Sequence, residues 1–356
     1  MTARSTGQTS KAAAETWAYE QLKKGVISTE KNISLGKFAE NFWIWGKCHY
    51  IRSRLTRGAN ISRTYVDDMR TMLIKHILPY FENIKLQKIR SRHVEKWLIE
   101  LSQKKKKDGT AFSATSVNRC FTNLKIILKE SVRLEYLSKS PAEGIKQFRE
   151  TPKKKSILTM DEVKELFLDD NIESLWDGSV MHYTLNLLSA TTGMRLGECQ
   201  GLQVQHVNEG YISVMNNWDP KYGLKEPKWR SYRDIPIPSK TVNYINELIE
   251  FSPYKEPEDF VFWGTDRKKP LRNDQIYDVY YAALKNIGIS EEQRRTRNVT
   301  FHSWRHFYNT ILRGKVSDPK LRLLTGHKSV EMSDLYTKFK LEDFKDVLQI
   351  QEEYFK

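Results

Sequence analysis

The hydrophobic periodicity of this chain is interrupted by a basic segment that a hydrophobic core could not contain. Residues 148–158 read FRETPKKKSIL, with a proline and three consecutive lysines between two regions of regular apolar spacing. Such a stretch is typical of a domain boundary, because clustered like charges repel one another and proline interrupts helices and strands. The chain has 356 residues and so exceeds one usual core. We predict two domains joined by a basic linker at 149–158.

The region before this linker has the three-and-four spacing of amphipathic helices. Helical patterns cover residues 38–51 and 62–81, with Pro79 closing the second, and two more helices are expected after Ser91 and after the N-cap candidates Ser113 and Thr115. The expected apolar faces of the second and fourth helices are Tyr65, Met69, Met72, Leu73 and His76, and Val117, Cys120, Phe121, Leu124 and Leu128. We predict an all-helical domain at 34–148, preceded by a tail with a short helix at 1–33.

The region after the linker mixes helical and strand patterns. Thr159 and Glu162 form a capping box for a first helix, and further helices are expected over 180–193, after Arg195, after Ser239, around 274–287 and from Thr300 onward. Three strand-like runs lie at 202–207, 211–215 and 233–238. The sequence therefore predicts a mainly α protein with a small antiparallel β-sheet in its C-terminal domain, at 159–338. An amphipathic helix is expected at 339–356.

The charge of the chain indicates a polyanionic partner. The formal net charge is +15, and the basic residues form short clusters instead of one amphipathic helix, which favours nucleic acid over an anionic membrane. The four lysines at 104–107 are either a solvated loop or a phosphate contact. No apolar run approaches the ~20 residues of a membrane helix, so we expect a cytoplasmic protein. Cys48, Cys120 and Cys199 lack metal-ligand spacing and are expected to be reduced core thiols.

Three separate motifs carry residues suited to anion chemistry. In TTGMRLGE, Arg195 opens a helix after a glycine, which suits an anion site, although a surface pair with Glu198 would explain it equally. In VTFHSWRHF, His302 and Arg305 share one helix face behind the N-cap candidate Thr300, where they could cradle a phosphate, although His302, like His306, would also fit as a core histidine. In LTGHKSVEMSDLYTKF, His327 follows a glycine turn, and Ser329 caps a helix that carries Tyr336.

In order and spacing, these motifs resemble the active-site motifs of the tyrosine recombinase (phage integrase) family, and the match spans the second domain. The resemblance implies a two-domain, C-shaped clamp on duplex DNA, with a helical core-binding domain and a catalytic domain. It implies that Tyr336 attacks a phosphodiester to leave a 3′-phosphotyrosine bond. Arg195, Arg305 and His327 would bind the phosphate, and His302 would assist proton transfer. It implies no cofactor, metal or ATP.

The family also takes a general acid from a lysine between the second and third strands. In GLKEPKWRSYRDIPIP we prefer Lys228, with Lys225 as the alternative, because Lys228 lies five residues before the arginine of R-D-I-P. Glu198 matches the family's acidic residue after the first arginine, and we expect it to orient Arg195. Trp304 departs from the family, which usually has a smaller aliphatic residue there, so the packing beneath the site could differ.

The resemblance further implies site-specific recombination by a homo-tetramer on double-stranded DNA, through a Holliday junction, in a bacterium and at its nucleoid. A directionality factor or a host DNA-bending protein is a possible partner, and no membrane is involved. A type IB topoisomerase and a non-catalytic DNA-binding relic are the alternatives. The residues expected to contact DNA are Lys104, Lys105, Lys106, Lys107, Lys153, Lys154, Lys155 and Arg119.

Both ends of the chain carry helices with counterparts in that family. The stretch AAAETWAYEQLKKG at 12–25 resembles the helix that follows an N-terminal arm-binding domain in many integrases. The small sheet of that domain is not found before it, so the domain is either absent or trimmed away. The C-terminal helix, with Leu341, Phe344, Val347, Leu348 and Ile350 on one stripe, is expected to dock on a neighbouring subunit, or else to pack on its own domain.

Overall fold

The chain divides into two compact units, Met1–Pro152 and Lys153–Lys356. The computed structural model describes residues 6–23, 32–106, 109–151, 156–326 and 340–355. Most of this chain is helical, and its strands form two small antiparallel sheets in the second unit. The prediction of a mainly α protein with a small antiparallel sheet in the C-terminal domain is therefore confirmed. No helix in the described ranges has both the length and the apolar character needed to cross a bilayer.

The regular elements of the first unit, over its described residues, are all helices. Its α-helices are α1 Lys11–Lys23, α2 Leu35–Phe38, α3 His49–Thr56, α4 Arg63–Met72, α5 Leu78–Phe81, α6 Ser91–Gln103 and α7 Ala114–Arg133. The N-cap of α7 is Ser113, whose hydroxyl accepts a hydrogen bond from the Ser116 N–H, and the predicted apolar face of α7 is buried. Asn123 on this helix is buried, accepts a hydrogen bond from Trp43 Nε1 at 2.7 Å and donates to the Met69 carbonyl at 2.7 Å.

Two helix predictions in this unit were wrong. Residues 38–51 are not one helix, because Trp43 and Gly46 adopt left-handed backbone angles that break it between α2 and α3. Pro79 does not end its helix: a π-helical segment, Leu73–Ile77, leads into α5, and Pro79 lies in the first turn of α5, where its missing N–H is tolerated. The buried face of α4 and this segment contains Val66, whereas Tyr65 is 40% exposed.

The second unit surrounds a central helix that is buried on all sides. Its helices are α8 Met160–Leu166, α9 Ile172–Leu175, α10 Val180–Thr192, α11 Leu196–Gln200, α12 Ser239–Phe251, α13 Asn273–Asn286, α14 Glu291–Arg297, α15 Ser303–Leu312, α16 Asp318–Thr325 and α17 Lys345–Tyr354. The centre is α10, which packs against α12 and α15 and has its last ten residues buried. The capping box of Thr159 and Glu162 at α8 is present as predicted.

The strands are β1 Val207–Asn208, β2 Tyr211–Val214, β3 Asn217–Asp219, β4 Gly223–Lys225 and β5 Arg233–Pro236. Strands β1, β2 and β5 form one antiparallel sheet in that order, with Ile212 opposite Ile235. The first predicted strand is mostly a 3₁₀ turn, Val204–His206; Gln203 before it forms an isolated antiparallel bridge with Phe260, and only Val207 at its end belongs to the three-stranded sheet. The β3–β4 hairpin was not predicted. It leads directly into the turn that precedes β5.

All three cysteines are buried and free, as the sequence predicted. Burial raises the pKa of the Cys120 thiol to about 11 and raises the pKa of Cys199 further. Both thiols are therefore protonated at neutral pH and behave as small apolar groups. Their positions in the two cores agree with the interpretation that they pack the interior.

Candidate active site

Arg195 lies at the start of α11, two residues after the left-handed residue that ends α10. That residue is Gly193, with φ +66°, where an added Cβ would lie 2.6 Å from Tyr308 Cδ1, so a side chain there would be both strained and obstructed. The sequence placed Arg195 in the first turn, whereas the structure makes it the N-cap residue. Its backbone N–H donates to Glu198 Oε2 at 3.0 Å. Both the backbone and the side chain of Arg195 therefore bond to Glu198.

Glu198 joins two arginines inside the core. Its Oε1 accepts from Arg195 Nη1 at 2.6 Å, and its Oε2 accepts from Arg233 Nη2 at 2.8 Å. The Glu198 and Arg233 side chains are 0% and 1% exposed. Burial by itself raises the pKa of this carboxyl, but the guanidinium groups of Arg233 and then Arg195 outweigh burial and lower the pKa to about 2. Glu198 is therefore ionised at neutral pH and fixes both arginines.

Arg233 is a residue of this site that the sequence analysis missed. It served there only to mark the start of a strand, and no role was assigned to it. The signal that could have identified it is the two-residue period of β5, which places Arg233 on the inward side with Ile235. An arginine at an inward strand position requires a buried anionic partner, and the nearby acidic residue of the first motif is Glu198.

Arg305 projects from α15 into the same region and is 2% exposed. Its Nη1 donates to the Gly193 carbonyl at 2.9 Å, and its Nη2 donates to the Thr325 carbonyl. Burial, and after it the nearby positive charge of Arg195, lowers the pKa of Arg305 to about 9. The Arg305 guanidinium is therefore still charged at neutral pH. Its charged neighbours are two arginines, Arg195 and Arg233, and one carboxylate, Glu198, so the positive charges outnumber the negative one.

Three arginines donate hydrogen bonds to three successive carbonyl oxygens at the C-terminal end of α16. The bonds run from Arg233 Nε to Leu324 O at 2.7 Å, from Arg305 Nη2 to Thr325 O, and from Arg195 Nη2 to Gly326 O at 3.4 Å. The end of a helix carries unpaired carbonyl oxygens and a partial negative charge, so cations stabilise it. Side chains from three distant segments thus converge on the end of α16, and the next residue along the chain is His327.

His302, three residues before Arg305, lies at the exposed start of α15. It occupies the N-cap position of α15, which begins at Ser303 and is not capped by Thr300 as predicted. Instead the Thr300 N–H donates to Ser303 Oγ at 3.0 Å, because the chain turns at 300–303 before the helix starts. The ring of His302 stands edge-on to that of His306, with centroids 4.9 Å apart. His302 is exposed and His306 is half-buried.

The two candidate lysines have different surroundings. Lys225, on β4, has its Nζ 2.5 Å from Asp219 Oδ2 within the β3–β4 hairpin. Lys228 begins the short turn Lys228–Arg230, and its Nζ lies 5.8 Å from the centroid of the Trp229 ring. No carboxylate of the described residues lies within ion-pair distance of Lys228. Lys225 is thus engaged by an acid, whereas Lys228 lies on the turn that enters β5.

The structure describes only some of the predicted site residues. His327, Tyr336, Lys107, Lys153, Lys154 and Lys155 lie outside the described residues. Lys104, Lys105 and Lys106 are exposed, as is Arg119, whose guanidinium lies 4.0 Å from Asp68. Exposure fits a solvated surface as well as a DNA contact, so these assignments stay predictions. Within the described ranges, no three His, Cys, Asp or Glu side chains are grouped so that they could hold a metal ion.

Trp304, which departs from the family pattern, is fully buried between α10, α13 and α8. Its Nε1 donates to Asn186 Oδ1 at 2.9 Å, and its ring packs against Phe167 and Tyr280. The hydrogen bond satisfies the one polar group that the larger side chain brings into the core. The neighbouring Arg305 retains its two carbonyl contacts.

The C-terminal segment packs on its own unit in this single chain. Phe344, Val347 and Phe355 are buried in the core of the second unit, whereas Leu341 is partly exposed. The buried Gln351 anchors α17, because its Nε2 donates to Thr191 O at 2.6 Å and to Pro236 O at 3.0 Å. Docking of this segment on a neighbouring subunit stays a prediction.

Two relatives among curated proteins are integrases. The ICEBs1 integrase of Bacillus subtilis (strain 168) is 24% identical over 192 residues, which are 52% of this chain and 49% of that protein. The integrase of Staphylococcus phage L54a is 22% identical over 281 residues, covering 70% of this chain and 75% of that protein. The alignment thus spans about half the length of the first relative and three quarters of the second.

Solved structures share the fold. The Tn1549 transposon integrase in complex with circular intermediate DNA has a TM-score of 0.63 at 16% identity, covering 87% of this chain and 97% of that chain. A lambda integrase tetramer bound to a Holliday junction has a TM-score of 0.60 at 15% identity, covering 93% and 90%. These similarities show the tyrosine recombinase fold.

The family models match both units. The model described as "Phage integrase, N-terminal SAM-like domain" matches residues 57–102 of the first unit. The model described as "Phage integrase family" matches residues 156–342, more than half of the chain and the whole region in which the arginines converge. The chain belongs to the phage integrase (tyrosine recombinase) family.

Proposed function

We propose that this chain is a site-specific DNA recombinase that cuts and rejoins DNA strands through a 3′-phosphotyrosine intermediate, with Tyr336 as the nucleophile. The observation that carries the proposal is the convergence of Arg195 and Arg305 on the carbonyl oxygens of Thr325 and Gly326. Two motifs that lie far apart in the sequence thereby meet beside the third motif, which contains the histidine and the tyrosine. Family membership supports the same assignment.

The electrostatics of the site suit a phosphodiester in its transition state. Arg195, Arg233 and Arg305 carry three positive charges against the single carboxylate of Glu198, so the site has a net positive charge before DNA arrives. Arg195 and Arg305 donate to backbone carbonyls, and a phosphate oxygen offers each a stronger, charged acceptor. Their guanidinium groups neutralise the charge that develops on the non-bridging oxygens.

The covalent step needs a proton acceptor and a proton donor. The Tyr336 hydroxyl oxygen bonds to phosphorus as its proton passes to His302, and the P–O5′ bond breaks as the leaving oxygen takes a proton from Lys228. His327 donates a hydrogen bond to the phosphate. The tyrosine then holds the 3′-phosphate, and a 5′-hydroxyl can reverse the step. The energy of the original bond is retained, so rejoining requires no ATP.

The relatives suggest the context of this reaction. They include an integrase of an integrative element and an integrase of a phage, and one structural neighbour is a tetramer bound to a Holliday junction. We propose that this chain acts as a homo-tetramer on the attachment sites of a bacterial mobile element, at the nucleoid. Residues 34–148 would form the core-binding domain, 159–338 the catalytic domain and 339–356 a helix that docks on a neighbouring subunit.

Covalent capture of DNA tests this function directly. Duplexes that bind the full chain are selected from a random-sequence pool, and each is then nicked so that cleavage releases a short flap and prevents religation. We expect a protein–DNA adduct that survives denaturation and is absent from Tyr336→Phe. Tight binding with no adduct from the wild-type chain would contradict the proposal. Sequence-independent relaxation of supercoiled DNA by the monomer would identify a topoisomerase instead.

The assignment of the general acid yields a separate prediction. Lys228→Ala is expected to slow cleavage by about 10²–10⁴-fold, because the 5′-oxygen then leaves without a proton. Cleavage should recover on DNA with sulfur at the 5′-bridging position, since a thiolate with a pKa of ~8.5 leaves unprotonated. Single-turnover cleavage of both substrates measures the difference. Lys225→Ala serves as the matched control and should cleave the oxygen substrate at a near-normal rate. Sulfur rescue of Lys225→Ala in place of Lys228→Ala would reverse the assignment.

A further inference from the structure

The turn between β4 and β5 presents an indole ring at its tip. Trp229 is 47% exposed, although tryptophan is among the residues with most to gain from burial. Its backbone has φ +67°, and that of Arg230 has φ +54°, so two consecutive residues with side chains adopt the left-handed conformation. Bulky residues rarely adopt it, because the Cβ crowds the backbone. Such a conformation persists only where its surroundings enforce it.

Hydrogen bonds within the turn accompany this conformation, and one carboxylate accepts two of them. Glu226, just before the turn, accepts from Arg230 Nε at 3.0 Å and from the Tyr232 hydroxyl at 2.6 Å. Within the turn, Ser231 Oγ donates to the Lys228 carbonyl at 3.0 Å. These bonds close the turn on both sides of Trp229, so the backbone that carries the indole ring is ordered before any partner binds. A side chain on an ordered turn loses less conformational entropy on binding than one on a disordered loop.

The charge around this ring favours a nucleic-acid partner over an apolar protein surface or a membrane. Residues 219–232 contain four cations, Lys221, Lys225, Lys228 and Arg230, and two anions, Asp219 and Glu226. The Lys228 ammonium lies 5.8 Å from the Trp229 ring centroid. An aromatic face beside a cation matches a nucleotide, which offers a flat base and a phosphate at a similar separation.

We propose that Trp229 stacks on a nucleobase at the cleavage site and holds open the base step beside the scissile phosphate. The proposal rests on the proposed function, because Lys228 places the turn beside that phosphate. Stacking by an inserted side chain unstacks neighbouring bases and kinks the duplex. The contact is indifferent to the identity of the base, since every base has a flat face. Trp229 would therefore help to determine where the strand is cut, and it would contribute little to the preference for a particular DNA sequence.

A thermodynamic cycle between the ring and the DNA bases tests this contact without any cleavage. The full chain carrying Tyr336→Phe is bound to a selected duplex in which each nucleotide in turn is replaced by an abasic site. The dissociation constant is measured for this protein and for versions that also carry Trp229→Ala or Trp229→Phe. Phe251→Ala is the matched control, because Phe251 is an exposed aromatic residue, 75% accessible, on α12 outside the turn.

We expect Trp229→Ala to weaken binding to the intact duplex about tenfold and Trp229→Phe to restore most of that loss. The effect of Trp229→Ala should vanish when one or two adjacent nucleotides are abasic and persist at all other positions. Phe251→Ala should match the parent throughout. Thermal unfolding of each variant verifies that the fold is intact.

Three outcomes would overturn the proposal. They are unchanged binding by Trp229→Ala, a loss that is the same at every abasic position, and equal losses for Trp229→Ala and Trp229→Phe. Because the assay uses Tyr336→Phe, its result does not depend on catalysis. Suppose that the effect of Trp229→Ala depends on the abasic position but the wild-type chain forms no covalent adduct: the stacking contact is then supported and the recombinase function is refuted. If an adduct forms but the effect of Trp229→Ala does not depend on the abasic position, the recombinase function is supported and the stacking contact is refuted.

Discussion

Replacement of Glu198 by alanine is expected to lower the free energy of unfolding by about 3–5 kcal/mol and to abolish cleavage. The carboxylate is fully buried and is the shared partner of Arg195 and Arg233. Its removal leaves Arg233 charged, buried and without a carboxylate, and it releases Arg195 from its orientation. Chemical denaturation measures the first effect and single-turnover cleavage the second. A variant with near-normal stability would show that the pair is dispensable.

The dependence of this loss on pH identifies its electrostatic cause. In the folded protein the pKa of Glu198 is lowered to about 2, whereas an unfolded glutamate titrates near ~4.3. A lowered folded pKa stabilises the fold above the unfolded pKa, and this stabilisation is lost as the pH falls through the folded pKa. The difference in unfolding free energy between wild type and Glu198→Gln should therefore be constant above about pH 5 and shrink between about pH 4 and pH 2. A difference independent of pH would indicate lost packing instead.

Glu291 provides a matched control for this prediction. It also accepts hydrogen bonds from two arginines, Arg294 and Arg295, both at 2.6 Å, but its side chain is 53% exposed. Water and salt screen an exposed pair, and water replaces the carboxylate when it is removed. Glu291→Ala is therefore expected to lower the free energy of unfolding far less than Glu198→Ala, although each carboxylate accepts hydrogen bonds from two arginines.

Replacement of Arg305 by alanine is expected to slow cleavage by at least about 10²–10³-fold while binding to the duplex changes only a few-fold. Arg305 is buried and, on the proposed function, would bind a single phosphate, whereas most affinity for DNA comes from many dispersed phosphate contacts. Burial and the charge of Arg195 lower the pKa of Arg305 to about 9, so the buried charge of Arg305 reduces the stability of the fold. Thermal stability should accordingly fall less than for Glu198→Ala.

Single-turnover cleavage and equilibrium binding on the same duplex measure the two effects. Arg305→Lys is the comparison variant, because it keeps a positive charge but cannot grip two oxygens at once, and it should fall between wild type and Arg305→Ala. A collapse of binding in Arg305→Ala would show that this residue anchors the DNA instead of stabilising the reaction.

The residues that sequence reasoning placed well depend on short-range signals. The capping box of Thr159 and Glu162, the N-cap at Ser113 and the glycine after α10 involve partners only a few positions apart. The predictions at 38–51 and Pro79 failed because apolar spacing alone does not report left-handed residues or a π-helical segment. The β3–β4 hairpin was missed because its strands are three residues each.

The sequence by itself determined the two-part, mainly helical architecture, the family motifs and the excess of positive charge, because each is written in residue types and local spacing. Only the tertiary structure decided how those motifs meet. Arg233 reaches Glu198 across 35 positions and the Leu324 carbonyl across 91. Contacts of that separation depend on how helices and strands pack, and an arginine in the sequence does not reveal whether its partner is water, a carboxylate or a carbonyl. In this protein the packing of the second unit determines those partners, and it brings Arg195, Arg233 and Arg305 together at the C-terminal end of α16.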